Sequence, residues 1–134
     1  MFLQELNLKE KKNFLELAHY IMTVDGKTDE VELNMFNNFR AEVRLGEDDY
    51  VIKKKSIKDI ITEFNASKKR TKKVVMYEIF GIILSNHEYH ENQKQTIELL
   101  QKEWNFRDYD IKKIMRWVED FNDLLTEAII NLGE

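Results

Sequence analysis

Apolar residues recur every three or four positions along most of the chain, a pattern that predicts amphipathic helices. The first helix is predicted from about Lys9 to Val24, and its apolar face consists of Phe14, Leu17, Ala18, Ile21 and Met22. The second has the same spacing in Leu33, Phe36, Phe39 and Val43. We expect it to end at Leu45, with Gly46 as the left-handed residue that caps many helices.

Two further helices are predicted in the middle of the chain. The third should begin at an N-cap supplied by Asp48 or Asp49. Its apolar positions are Ile57, Ile60, Ile61 and Phe64. The fourth, roughly 68–86, reads VVMYEIFGIIL and is apolar on every side, so other helices should surround it. Gly81 costs this helix about 1 kcal/mol relative to alanine, which indicates close approach of a neighbouring helix.

The fifth and sixth helices are predicted from about Glu91 and from about Asp108 to Leu132. The buried face of the sixth is expected to contain Ile114, Val118, Phe121, Leu125, Ala128 and Ile129. The chain has no proline and only four glycines in 134 residues, and helix-forming residues take their place. We therefore predict an all-α fold in which residues 1–134 form one globular domain of about six to seven helices.

The sequence also predicts an internal duplication. When the chain is shifted by 61 residues, "IMTVDGKTDEVELNMFNNF" aligns with "IILSNHEYHENQKQTIELL". Apolar, turn and capping positions then correspond, as when Ile21 meets Ile82, although few residues are identical. We infer two related three-helix units, about 9–64 and 68–132, packed into one domain.

The segment "LAHYIMTVDGKTDEVELNMFNNF" resembles the signature of the TerB-like family, which is known from tellurite-resistance proteins. The shared features are a helix that ends in Asp25-Gly26, a short loop, and Glu32 seven residues after the aspartate. "EIFGIILSNHEYHENQ" is similar to the family's second segment, so the resemblance covers nearly the whole chain. It implies a TerB-like helical domain that acts in stress response or membrane-associated complexes and binds metal through acidic surface residues. The second loop departs from the family pattern, because Asn86-His87 replaces Asp-Gly.

Composition excludes several classes of protein. Without cysteine, the chain has neither disulfides nor thiolate metal sites. Charged residues interrupt any signal-peptide core, and the longest apolar run has 11 residues, against about 20 for a bilayer span. We expect a soluble, cytoplasmic protein with no membrane insertion. The net charge of -4, from 21 basic and 25 acidic residues, provides no general attraction to nucleic acid or to an anionic membrane.

The first candidate site is an acidic loop that contains Asp25, Asp29, Glu30 and Glu32. Helix capping explains part of it, because Asp29 as N-cap and Glu32 three residues later form a capping box. The clustered oxygens also suit a hard divalent cation, so calcium or magnesium is the candidate cofactor. When an EF-hand loop is overlaid, its first and third positions lack carboxylates, and any ion should be held weakly.

The second candidate site consists of His87, His90 and Glu91, within "LSNHEYHENQ". It supports an alternative function, a metal-dependent hydrolase that uses a bound ion for catalysis. A zincin motif, however, needs two histidines four residues apart on one helix, and these are three apart. With no third histidine nearby in the sequence, we favour structural or solvent-facing histidines.

The third candidate site is the basic run "KKRTKK", in which Lys68, Lys69, Arg70, Lys72 and Lys73 are candidate partner-binding residues. Such a patch attracts an anion, an acidic protein or a nucleic-acid backbone. No aromatic residues are interleaved with the cations, so nucleic-acid binding has little support.

Glu78, inside the apolar fourth helix, is a candidate buried carboxylate with a raised pKa that acts as a catalytic acid or base, but such a residue more often faces the solvent-exposed edge of its helix or pairs with a neighbouring cation. The sequence contains no nucleophile–base pattern, phosphate-binding glycine loop or dinucleotide fingerprint. We therefore predict a non-enzymatic module that binds a protein partner. Its predicted contact surface is the loop from Asp25 to Glu32 with the adjacent helix ends, where a weak cation site is also expected.

Overall fold

Six helices make up the fold. The computed structural model describes residues 1–24, 26, 28–85 and 89–133. After a 3-10 turn at Leu3–Glu5, the helices are α1 (Leu8–Thr23), α2 (Glu30–Val43), α3 (Ile57–Phe64), α4 (Lys69–Ile83), α5 (Glu91–Glu103) and α6 (Asp108–Leu132). The described residues contain no strand and share one hydrophobic core, which confirms the all-α prediction.

Two helices, α1 and α4, organise this core. They pack against each other, and α1 also contacts α2 and α3, whereas α4 contacts α2, α6 and the N-terminal turn. The buried apolar side chains of α4 are Val74, Val75, Met76, Ile79, Phe80, Ile82 and Ile83. Because burial of one such side chain contributes roughly 1.5–3 kcal/mol, α4 supplies a large share of the hydrophobic stabilisation.

Helix ends that lie 61 residues apart have matching geometry. The N-cap residues of α2 and α5 are Asp29 and His90. Each helix is followed by a residue in the left-handed conformation, Arg44 with φ 60° and Asn105 with φ 56°. These matches support the predicted duplication, which itself stays a prediction.

The hydrogen bonds that follow these two helices also correspond. The N–H of Leu45 donates to the carbonyl of Arg40 at 3.0 Å, and the N–H of Phe106 donates to that of Gln101 at 2.9 Å. Both donors belong to buried apolar residues. In each unit an aspartate then accepts from the backbone N–H three residues before it, at 3.0 Å in both cases. Each unit therefore ends its second helix by turning an apolar residue into the core.

The end of α2 differs from the prediction. The helix stops at Val43, and its left-handed cap is Arg44 rather than Gly46. Such a cap brings the next residue back against the helix, and here that residue is the buried Leu45. Burial of Leu45, rather than the position of the glycine, therefore sets the end of α2.

The start of α3 also differs from the prediction. Its N-cap is Ser56, whose Oγ accepts from the N–H of Asp59 at 3.2 Å, so the assignment of Asp48 or Asp49 as N-cap is wrong. Asp49 instead accepts from the N–H of Gly46 and closes a turn. An irregular stretch separates that turn from α3.

A buried carboxylate holds this irregular stretch in place. Glu16 in α1 is 2% exposed, and it accepts hydrogen bonds from the Tyr50 hydroxyl at 2.5 Å and from the N–H groups of Lys53 at 2.8 Å and Lys55 at 3.1 Å. Burial acts to raise the pKa of Glu16, but these hydrogen bonds outweigh burial and leave the pKa below its ordinary value. The ionised carboxylate therefore fixes the backbone between Tyr50 and Lys55.

Arg40 in α2 holds the preceding turn. Its Nη1 donates to the carbonyls of Leu45 at 3.1 Å, Gly46 at 3.0 Å and Tyr50 at 2.9 Å. Three backbone acceptors outside any helix are thus satisfied by one buried guanidinium. Neither this role nor that of Glu16 was predicted from the sequence.

Two predictions about helix packing are wrong. Among the described residues outside its own helix, no heavy atom lies within 4 Å of the position that a Cβ of Gly81 would occupy, so no described helix approaches closely there. Gly81 instead forms part of a cavity wall. Leu33 is exposed, because α2 faces the core through Phe36 and Phe39.

Candidate functional site

Helix capping accounts for the positions of Asp29 and Glu32 in the acidic loop. Asp29 Oδ1 accepts from the N–H of Glu32 at 2.7 Å, and Glu32 Oε1 accepts from the N–H of Asp29 at 3.5 Å. The predicted capping box at the start of α2 is therefore confirmed. Both carboxylates lie near the positive end of the helix dipole, which favours their charge.

Glu32 is turned into the protein and is only 2% exposed. Its second oxygen accepts from Gln93 Nε2 at 3.3 Å, and the same Nε2 donates to the carbonyl of Ile21 at 3.4 Å. Glu32 and Gln93 are 61 residues apart, so they correspond in the predicted duplication. The carboxylate of Glu32 thus connects α2 to α5 rather than facing solvent.

The other predicted cation ligands are only partly described. Asp29 and Glu30 are exposed, whereas Asp25 lies outside the described residues. Among the residues that the structure describes, no three histidine or carboxylate side chains are grouped closely enough to hold a metal ion. The cation site therefore stays a prediction that depends on Asp25.

The histidine pair is placed at a helix start. His87 lies outside the described residues, and His90 is the N-cap residue of α5, with Gln93 Oε1 accepting from its N–H at 3.3 Å. Glu91 follows as an exposed residue of the first helical turn. His90 thus occupies the position that Asp29 has in the first unit, and the hydrolase alternative stays a prediction.

Lys69 of the basic run has a structural role. Its ammonium donates to the carbonyls of Trp104 at 2.5 Å and Asn105 at 3.0 Å, just after α5, and lies 4.1 Å from the centre of the Phe106 ring. Burial, the main effect, lowers the pKa of Lys69. Lys69 therefore binds α4 to the end of α5.

The rest of the basic run is divided between contacts and solvent. Arg70 makes a bidentate pair with the Glu5 carboxylate, at 2.6 and 3.0 Å, and Lys72 donates to the carbonyl of Asn65 at 3.4 Å. Lys68 and Lys73 are exposed. The five predicted partner-binding residues thus lie on one helix end, but three of them already contact this chain.

A cavity of about 240 Å³ lies beside α6, between α2, α4 and the N-terminal residues. Four aromatic side chains form a continuous wall: Phe2, Tyr77, Trp117 and Phe121. Their neighbouring ring centroids are 5.8, 5.4 and 5.5 Å apart in that order. Since Gly81 contributes no side chain, the space remains open toward α4.

Two carboxylates, Glu42 and Glu78, also face this cavity. Glu78 Oε1 accepts from the N–H of Phe2 at 2.6 Å and lies 3.0 Å from the Met1 ammonium, which also contacts Glu42. Burial acts to lower the pKa of this ammonium, but the two carboxylates raise it above its ordinary value. Glu78 thus pairs with a cation, which is one of the roles predicted for it.

The second half of α6 presents apolar side chains to solvent. We define the α6 stripe as the residues on one face of its last three turns: Phe121, Leu124, Leu125, Ala128, Ile129 and Leu132. Leu124, Ile129 and Leu132 are 65%, 60% and 85% exposed. The prediction that Leu125, Ala128 and Ile129 are buried is therefore wrong, although Ile114 and Val118 are buried. The described helices cover only the first half of α6, which packs against α4.

The charge of α6 changes sign along its length. Lys112, Lys113 and Arg116 lie in its first half, and no lysine or arginine follows Arg116. The carboxylates of α6 after that point are Glu119, Asp120, Asp123 and Glu127. Their four negative charges equal the net charge of the whole chain, -4, so the acidic surplus is concentrated in the second half of α6.

The sequence pattern identified four members of the α6 stripe as part of one apolar face but assigned them to the core: Phe121, Leu125, Ala128 and Ile129. One signal of its exposure was present in the chain. The sixth predicted helix has about 25 residues and is longer than any other, so the shorter helices cannot pack along its whole length.

No family model, curated protein or solved structure matches this chain. Within the described residues, no helix combines the length and the apolar character needed to cross a membrane.

Proposed function

We propose that this protein is a non-enzymatic helical module that binds another protein through the α6 stripe and the adjoining cavity. The observation that carries the proposal is the exposure of large apolar side chains on consecutive turns of α6. Monomeric soluble proteins rarely expose contiguous apolar patches of more than a few hundred Å², and larger patches mark interaction sites.

The cavity gives this surface an anchoring point. Trp117 and Phe121 line the cavity. Phe121 is the first residue of the α6 stripe, and Trp117, which is 40% exposed, lies one turn before it. Binding energy at protein interfaces is concentrated in aromatic residues that fill or form pockets next to flatter apolar surface. A partner side chain that enters the cavity would therefore fix the register of the complex.

The resemblance to TerB-like proteins supports the same general role. A stress-response function and a weak divalent-cation site in the acidic loop belong to this proposal as its secondary elements. Isothermal titration with calcium, magnesium, manganese and zinc tests the cation site, with Asp25→Ala as the comparison. We expect a weak binding signal that the substitution removes. Absence of heat and of any shift in melting temperature with all four ions would exclude it.

Photo-crosslinking tests the docking surface. A benzophenone amino acid replaces Leu125 in the full chain, which is expressed in the native host and irradiated. We expect discrete adducts that disappear when Ile129→Gln is added. The control places the same side chain at Val51, an apolar residue that is 72% exposed outside the α6 stripe. The same adducts at both positions, or none at position 125, would contradict the proposal.

A further inference from the structure

The charge around the α6 stripe narrows the chemistry of the partner. We propose that the α6 stripe binds an amphipathic helix of another protein whose polar face is rich in lysine and arginine. This inference rests on the proposed function and adds the chemical class of the partner to it.

The shape of the surface favours a helical partner. The α6 stripe spans 12 residues, which corresponds to about 18 Å of helix at a rise of 1.5 Å per residue. It is a ridge one helix face wide, with apolar side chains three and four positions apart. A second helix with the same spacing packs its side chains between those of such a ridge.

The charges beside the ridge favour a basic partner. Asp120 and Glu127 flank the α6 stripe on one side, whereas Glu119 and Asp123 lie on the opposite face of the helix. All four are exposed, and no lysine or arginine of α6 lies beyond Arg116 to neutralise them. Charges at flanking positions of a helix pair select the partner, because opposite charges attract across the contact and like charges repel.

The same charges disfavour two other occupants. If the α6 stripe bound a second copy of itself in an antiparallel pair, the flanking carboxylates Asp120 and Glu127 of the two copies would face each other. An anionic membrane surface would be repelled in the same way, since surface helices bind anionic lipids through lysine and arginine. A basic helix satisfies both the apolar face and the carboxylates.

Fluorescence anisotropy with designed peptides tests this inference. The probe is an 18-residue labelled peptide with leucine at helical spacing on one face and lysine on the other. A matched peptide has glutamate in place of every lysine, and a third has the leucines and lysines in shuffled order. We expect the leucine–lysine peptide to bind the full chain at least tenfold more tightly than either control peptide.

Three variants of the protein locate the binding. Leu125→Gln with Ile129→Gln should abolish binding, because it removes the apolar contact. Asp120→Asn with Glu127→Gln should weaken it about fivefold at low salt, since each exposed charge pair contributes only modestly. The control combines Asp48→Asn with Glu103→Gln, which remove the same charge from exposed positions elsewhere and should leave affinity unchanged.

The outcomes separate the partner class from the docking function. Suppose that the glutamate peptide binds as tightly as the lysine peptide, and that the Leu125/Ile129 variant binds neither. The inference of a basic partner is then wrong, whereas the docking function of the α6 stripe is supported. If no peptide binds, or that variant binds like the wild type, the docking function itself is overturned. Equal weakening by the control variant would reduce the effect to net charge and overturn the inference. The inference is also overturned if the wild type is a dimer that Leu125→Gln with Ile129→Gln dissociates. The same holds if the wild type binds anionic vesicles as tightly as it binds the leucine–lysine peptide.

Discussion

The predicted duplication places residues 47–56 at positions equivalent to 108–117, but the two segments have different structures. The first segment is a turn followed by an irregular stretch, whereas the second forms the first ten residues of α6. The residues that contact them differ as well, since Glu16 in the first unit is replaced by Tyr77 at the position 61 residues later.

The two contact residues impose different backbones. The carboxylate of Glu16 accepts backbone N–H groups from Lys53 and Lys55, and those N–H groups are then not paired within a helix. Tyr77 instead packs against Trp117, with ring centroids 5.4 Å apart. It accepts no backbone N–H of α6, so those groups form the hydrogen bonds of the helix. One buried acceptor can therefore decide between an irregular stretch and a helix at equivalent positions.

The largest loss of stability is expected from Glu16→Leu. We expect it to reduce the free energy of unfolding by about 3 kcal/mol, because three donors lose their acceptor in a mostly buried site. Urea denaturation measures the change. Glu98→Leu, at an exposed position of α5, serves as the control and should change stability by less than about 0.5 kcal/mol. Equal effects of the two substitutions would contradict the assigned role of Glu16.

A second test compares Arg40 with its counterpart Gln101. Arg40→Met should cost about 2 kcal/mol, because three backbone carbonyls lose a buried donor. Gln101→Met removes only an exposed contact, in which Gln101 Nε2 donates to Asp108 at 2.7 Å, and should cost about 0.5 kcal/mol. The same denaturation series measures both variants. A larger loss for Gln101→Met would reverse the assignment.

Low pH should reduce the free energy of unfolding, because Glu16 becomes protonated. Because its pKa is lowered in the folded state, the stability it contributes is fully present above its ordinary value of 4.5 and is lost as pH falls through the lower folded value. Glu16→Gln lacks this titration. We expect the stability difference between the wild type and this variant, measured by urea denaturation, to shrink as the pH falls below 4.5. A difference that is constant with pH would show that the charge of Glu16 is unimportant.

Gly81 in α4 has no side chain, whereas its counterpart in α1, Tyr20, has a large one. Gly81→Ala should stabilise the protein by about 0.5–1 kcal/mol, because the helix gains propensity and the cavity has room for a methyl group. Gly26→Ala is the contrasting variant, since φ is +79° there and alanine should destabilise. Melting temperatures measure both changes. Destabilisation by Gly81→Ala would show that the cavity wall is tighter than the structure indicates.

The smallest effect is expected at the α6 stripe. Leu125→Gln with Ile129→Gln should change stability by less than about 0.5 kcal/mol, because both side chains are exposed. Ile114→Ala, on the buried half of the same helix, should cost about 3 kcal/mol. Calorimetry compares the two. A large loss from the double variant would mean that the stripe is covered by this chain in solution.

Periodicity predicted most of the fold because helices depend on local spacing. The start of α5, both ends of α6 and the capping box of Asp29 with Glu32 follow from neighbouring residues alone. The irregular stretch was not predictable in this way. It depends on a hydrogen bond between Glu16 and a residue 37 positions away, Lys53, which no local pattern reports.

The candidate site was predicted less well than the fold. Apolar spacing identified the α6 stripe, but the same spacing describes a buried face and an exposed binding face equally. The basic run was found as a patch of charge, whereas its pairing of Lys69 with the end of α5 needed the tertiary structure. Local sequence therefore indicated which residues are chemically prominent, and packing determined which of them are free to bind.

The two tryptophans lie in opposite surroundings, Trp104 at 2% exposure and Trp117 at 40%. An indole in an apolar interior emits at shorter wavelength than one in contact with water. The chain therefore contains two intrinsic optical reporters. Loss of the short-wavelength emission of Trp104 would report unfolding of the core. Quenching or a shift of the long-wavelength emission of Trp117 would report binding next to the α6 stripe, without an attached label.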